Sequence, residues 1–131
     1  MTEPRRHLFE YAAIRVVPRV ERGELINAGV LVYCKGLDYL GARIHLDVGR
    51  LRALDPSADV DAVRRGLEAV TRTCAGEGPA ADEDLLHRFR WLTAPRSTVV
   101  QPGPVHTGLT DDPDAELERL MALLVFAVPP L

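Results

Sequence analysis

Residues 8–34 read LFEYAAIRVVPRVERGELINAGVLVYC, and the fold turns on how they are divided. Leu8 to Val17 is rich in aromatic and β-branched side chains and stops at Pro18, which specifies a strand rather than a helix. Pro18 to Glu24 is a connection of seven residues. Leu25 to Cys34 then sets Ile26, Ala28, Val30, Val32 and Cys34 at period two, a second strand antiparallel to the first. A loop centred on Glu21 places Arg15 opposite Asn27, Ala13 opposite Gly29, Tyr11 opposite Leu31 and Phe9 opposite Tyr33. Those residues share one face, and Leu8, Ala12, Ile14, Val16, Ile26, Ala28, Val30, Val32 and Cys34 make the other, a dry core. The first face leaves a shallow depression over Ala13 and Gly29, beside the Arg15 guanidinium and the Asn27 amide. Such a saddle suits a phosphate, a carboxylate or a peptide backbone. The plainer alternative is that a helix covers this face and Arg15 pairs with a carboxylate.

Working outward, turn chemistry at Gly36 to Asp38 and alternation of Ala42, Ile44 and Leu46 with Arg43 and His45 predict a third strand over Tyr39 to Leu46. From Asp47 the period becomes helical. Asp47 caps a short helix carrying Leu51 and Leu54, closed by Asp55-Pro56; Asp59 caps a longer one with Val60, Val63, Leu67, Val70 and Cys74 on one side. A further helix is expected from Asp82 to Leu92, a short strand over Ser97 to Gln101, and a last helix capped by Asp112 with Pro113 at its first position. The fold class is therefore α+β: one antiparallel sheet beginning with a hairpin or meander, packed by three or four helices. All 131 residues make one domain, with residues 1–7 expected to be flexible.

Sixteen basic residues against nineteen acidic ones give a net charge of −3, which disfavours unspecific binding to DNA, and Lys35 is the only lysine among the basic residues. Cys34 and Cys74 form no CxxC motif, and no secretory leader or membrane-length apolar run is evident, so the expected setting is the cytoplasm with reduced thiols. P-loop, GxGxxG, GxSxG and HExxH motifs are lacking, and His7, His45, His87 and His106 show no ligand spacing. No cofactor and no metal is expected; Asp111, Asp112 and Asp114 read as a helix cap with an acidic first turn.

Two rigid polar stretches remain, Pro95-Arg96-Ser97-Thr98 and Pro104-Val105-His106-Thr107-Gly108, in which prolines and a glycine fix the backbone around donors. Arg96 suits an oxyanion, His106 a proton transfer, and Ser97 or Thr107 a hydroxyl donor or nucleophile. A turn network that satisfies backbone groups explains the same residues without a ligand.

The segments FEYAAIRVVPRVERGELINAGVLVYC, LGARI, RFRWLTAPRSTVVQ and PVHTGLTDDPDAELERL, in this order, resemble the bacterial domain-of-unknown-function family 3037 (DUF3037) from about Phe9 to Leu124. The resemblance implies no catalytic residues. It implies, by the association of such genes with a HipA-like kinase, an accessory role beside that partner. Arg15, Arg19, Glu24, Asn27, Arg96, Ser97, His106 and Thr107 all lie in its blocks.

Three functional readings result. The first is a non-catalytic binding or accessory module that partners a HipA-like kinase, with Arg15, Arg19, Asn27 and Arg96 holding a phosphate-bearing ligand or partner. The second is a small hydrolase or transferase with His106 as acid or base, Ser97 or Thr107 as hydroxyl, and arginine stabilising the anion. The third, nucleic-acid binding through Arg19, Arg22, Arg88, Arg90 and Trp91, is the least favoured by the charge.

Overall fold

The first two strands, β1 (His7–Val16) and β2 (Ile26–Cys34), pair antiparallel, with Arg15 opposite Asn27 and Val16 opposite Ile26 as a loop centred on Glu21 requires. Beyond that point the ladder slips by one residue: Ile14 faces Gly29, Ala13 faces Val30, Ala12 faces Leu31, Tyr11 faces Val32 and Glu10 faces Tyr33. Ala28 is the extra residue of a β-bulge. The expected pairs Ala13–Gly29, Tyr11–Leu31 and Phe9–Tyr33 therefore do not form. Because side chains alternate with period two, a one-residue slip exchanges the faces of everything beyond it.

The protein is described here from a computed structural model covering residues 5–126. Of the flexible start expected over residues 1–7, residues 1–4 lie outside the described residues, and His7 already belongs to β1. The chain continues through β3 (Tyr39–Ile44), α1 (Val48–Leu54), α2 (Val60–Cys74), α3 (Leu85–Thr93), β4 (Val100–Pro102), β5 (His106–Thr110) and α4 (Pro113–Leu124). The sheet runs β3-β2-β1-β4, and β5 also pairs with β1. Thus β4 and β5 occupy the same edge of β1, opposite Ile14 to Val16 and His7 to Tyr11 respectively. Their registers differ by one residue across Pro104-Val105, a second irregularity against the same central strand. The α+β class and the opening meander stand as read.

Every long helix starts where a side chain can accept an orphan amide. Asp47, Asp59, Asp84 and Asp112 accept from the backbone N–H of Arg50, Ala62, His87 and Ala115, at 3.1, 3.0, 2.9 and 3.2 Å. The expected helix from Asp82 starts three residues later, because Asp84 provides this cap while Asp82 and Glu83 lie in the preceding turn. The strand expected over Ser97 to Gln101 is displaced to Val100–Pro102, and His106–Thr110, read as a rigid loop, is a strand. Both displacements follow from β1, whose free edge recruits whatever backbone lies beside it.

The sheet is covered on both faces. Ile14, Val16, Ile26, Ala28, Leu31 and Tyr33 pack with Leu51, Val63, Leu67, Phe89 and Leu92 of α1 to α3. On the opposite face Phe9, Val30, Val32 and Cys34 pack with Leu117, Leu120, Met121 and Val125. Val30, Val32 and Cys34, expected in the first core, thus belong to the second, and Leu31 and Tyr33 make the reverse exchange. Each large aliphatic side chain buried in this way contributes about 1.5–3 kcal/mol.

Candidate functional site

A groove of about 640 Å³ opens between α2 and the segment from Trp91 to Val100. Its volume lies in the range of small-ligand sites. One wall is the flank of α2 that carries Ala62, Gly66, Ala69 and Thr73, next to the stripe that faces the core. Gly66 lets this flank approach the sheet: a Cβ there would stand 2.8 Å from Val100 Cγ2. The facing wall is Trp91, Leu92, Arg96 and Thr98 to Val100, and the end near the α2 N-terminus is closed by Pro18, Asp55, Ser57 and Ala58.

Polar side chains sit around this apolar lining. The Arg96 guanidinium lies 5.9 Å from the Trp91 ring centre, donates from Nη2 to the Trp91 carbonyl, and donates from Nε to the Ala94 carbonyl at 3.3 Å. It therefore closes the C-terminus of α3 and presents a fixed positive charge at the rim. Thr98 Oγ1 donates to the Val100 carbonyl at 2.7 Å, on a strand whose other edge pairs with β1. Asp55 is 9% exposed, accepts from Ser57 N–H at 3.0 Å, and stands 3.9 Å from Arg19 Nε. Arg19 is shared with Glu21 at 3.6 Å.

Arg96 and Arg19 thus meet the same groove, one lining it and one through Asp55. Arg15 and Asn27 lie on the other face of the sheet, since Arg15 alternates with Ile14 and Val16 of the first core. The saddle expected above them is filled. Asn27 Nδ2 donates to the Leu124 carbonyl at the end of α4 at 3.0 Å, and the guanidinium packs so closely on Gly103 that a Cβ there would be 3.0 Å from Arg15 Nε. Among the described residues Arg15 makes no ion pair, and Arg15 Nε and Asn27 Oδ1 are buried without hydrogen-bond partners. A helix therefore covers this face, but among the described residues no carboxylate meets Arg15.

Ser97, His106 and Thr107 are all exposed and are not brought together. His106 pairs with Tyr11, its ring 5.3 Å from the tyrosine ring, whereas Val99 accepts from Val17 N–H at the other end of β1. Six residues of strand put about 20 Å between those levels. Thr107 is the next residue along β5, and consecutive strand side chains point to opposite faces. Arg22 pairs with Glu24 and Arg19 with Glu21 and Asp55, so these two arginines form no continuous basic stripe with Arg88, Arg90 and Trp91. Asp112 is the α4 cap, and Asp114 accepts from the Tyr39 hydroxyl at 2.7 Å. That carboxylate, together with burial, drives the Tyr39 phenol upward from its ordinary value, burial being the larger cause.

Residues 11–125 match the model of a family described as "Protein of unknown function (DUF3037)". The chain belongs to the DUF3037 family. The match spans β1 from Tyr11 through the end of α4, so both faces of the sheet and the whole groove fall within the DUF3037 domain. No curated protein and no solved structure matches the chain. Among the described residues no helix is long and apolar enough to cross a membrane.

Asp55 and the small-residue flank of α2 were not singled out in the sequence, although Ala62, Gly66, Ala69 and Thr73 recur at helical spacing beside the apolar stripe. Cys74 lies on that stripe, and burial pushes its thiol up to about 12, opposed by Arg88. Cys34 is fully buried. Burial thus keeps Cys74 in the unreactive thiol form at pH 8. The native protein is therefore expected to show no rapid reaction of either thiol with an aromatic disulfide reagent at pH 8, and both should react after denaturation.

Proposed function

We propose that the chain is a non-catalytic binding module whose seat is the groove between α2 and Trp91 to Val100. Arg96 would hold the anionic, phosphate-bearing part of a ligand or partner, while the apolar lining takes its body and Arg19 stays with Asp55 and Glu21 at the far end. The observation that carries this reading is one cavity combining an apolar floor with a guanidinium held in place by two backbone carbonyls and an indole. A HipA-like kinase is the partner proposed, on the family association alone. His106 packs on Tyr11, about 20 Å of strand from the level at which Val99 meets β1, and among the described residues no side chain is hydrogen-bonded to its ring for an acid–base role.

The test is co-expression with a HipA-like kinase from the same genome, followed by measurement of Kd. Arg96→Glu is expected to weaken the complex by more than tenfold, about 1.4 kcal/mol, and His106→Ala by less than that. Undiminished affinity in Arg96→Glu removes the groove from the interface, and a larger loss from His106→Ala returns attention to the β5 edge.

A further inference from the structure

We infer that the occupant of the groove is a short extended peptide segment carrying unlike charges at its two ends, its acidic residue at Arg96 and its basic residue beside Asp55 and Asp59. This rests on the groove being the binding seat, and it adds the class and orientation of the ligand.

The groove is electrically polar along its length. At the α2 N-terminal end stand Asp55 and the exposed Asp59, with Asp55 and Glu21 sharing Arg19. At the other end Trp91 and Pro79 meet Thr73, and Arg96 faces Val70 and Leu92. Between them the α2 wall offers Ala62, Val63, Gly66, Ala69 and Val70, small or short side chains that leave room for a side chain laid across them. Ala62 to Thr73 spans eleven helical steps, about 16 Å, the reach of roughly five extended residues. Along this line Ser57 supplies a hydroxyl for the polar backbone of a peptide, and Thr73 and Thr98, whose hydroxyls donate to the Ala69 and Val100 carbonyls, leave their oxygens to accept from peptide N–H groups. An aliphatic anion would satisfy Arg96 but would lay its tail against Asp55 and Asp59. A peptide with a basic residue there meets both ends.

The experiment uses blocked five-residue probes with the sequence arginine–valine–alanine–valine–glutamate, together with an all-acidic version (glutamate at both ends), an all-basic version (arginine at both ends), and dodecanoate. Binding is read by calorimetry on the full chain. The mixed probe is expected to bind at least tenfold tighter than either single-sign version. In a variant carrying Asp55→Asn and Asp59→Asn, in which asparagine oxygen can still accept from Ser57 N–H and still cap α2 at Ala62 N–H, that advantage over the all-acidic probe should vanish. In Arg96→Glu the all-basic probe should become the tightest. Equal affinity of the three peptides overturns the proposed polarity while leaving the groove a binding site. Dodecanoate binding without peptide binding overturns the peptide class and likewise spares the groove. If no probe binds and Arg96→Glu leaves the kinase complex unchanged, both readings fall.

Discussion

Gly29→Ala is expected to destabilise the fold by about 3 kcal/mol, read as a fall in the urea midpoint at unchanged slope. Gly29 sits at the bulge of β2, paired with Ile14 of β1 on one side and Ile44 of β3 on the other. A Cβ there would lie 2.5 Å from the Arg43 carbonyl oxygen, 3.1 Å from Ile14 Cδ1 and 3.2 Å from Ile44 Cγ2. The oxygen belongs to the backbone of β3, so it can retreat only by stretching the ladder that holds β3 to β2. Gly36 is the control. A Cβ at Gly36 would run into the His7 ring, nominally a worse clash, but His7 is a partly exposed side chain at the start of β1, which can rotate where a backbone carbonyl cannot. Gly36→Ala should therefore stay within about 0.5 kcal/mol of the parent. Equal losses at the two glycines would show that the close approach at the bulge has been misjudged.

Leu120→Ala is the second large effect, expected to cost about 2–5 kcal/mol, a sizeable part of the roughly 5–15 kcal/mol that holds a domain of this size together. Leu120 is 1% exposed and stands with Leu117 and Met121 over Val30, Val32 and Cys34. Its removal leaves a cavity under the one helix that covers this face. The loss has a chemical reporter, because Cys34 lies in the same cluster: its reaction with a thiol reagent should accelerate as α4 loosens, whereas Cys74, at the end of α2 against the other core, should not change. Leu123→Ala, on the exposed side of α4 at 61% exposure, should change neither stability nor thiol reactivity.

These two experiments address the part of the molecule that local patterning described least well. A turn between two apolar runs establishes that the runs pair, and it establishes which residues meet next to the turn, as Arg15 and Asn27 do. It says nothing about an extra residue farther along the ladder. Nothing in the alternation of Ile26 to Cys34 reveals the bulge at Ala28, because the continuous apolar run Val30 to Cys34 suits either face equally. For the same reason the saddle over Ala13 and Gly29, built from an unbroken register, does not exist.

The helix starts, by contrast, are local affairs. An aspartate side chain reaches an amide three residues on whatever surrounds it, and Asp47, Asp59 and Asp112 were each legible as caps for that reason. The amphipathic stripes of α2 and α4 were legible because burial at helical spacing needs no knowledge of the surface that buries it. The groove was not. Arg96 stood out as a charged residue between prolines, but Ala69, Gly66, Ala62 and Asp55, which line the groove with it, come from 27 to 41 residues earlier in the chain. They are brought there by α2 packing on Val100.

The chain on its own thus dictated an α+β domain with an opening hairpin, its helix caps and its apolar stripes, because each depends on atoms within a few residues. Which residues share a sheet face, which strand takes the free edge of β1, and where a cavity meets a charge were decided only by the packed molecule. Those outcomes depend on a one-residue slip in a ladder and on contacts between distant segments, neither of which leaves a periodic trace.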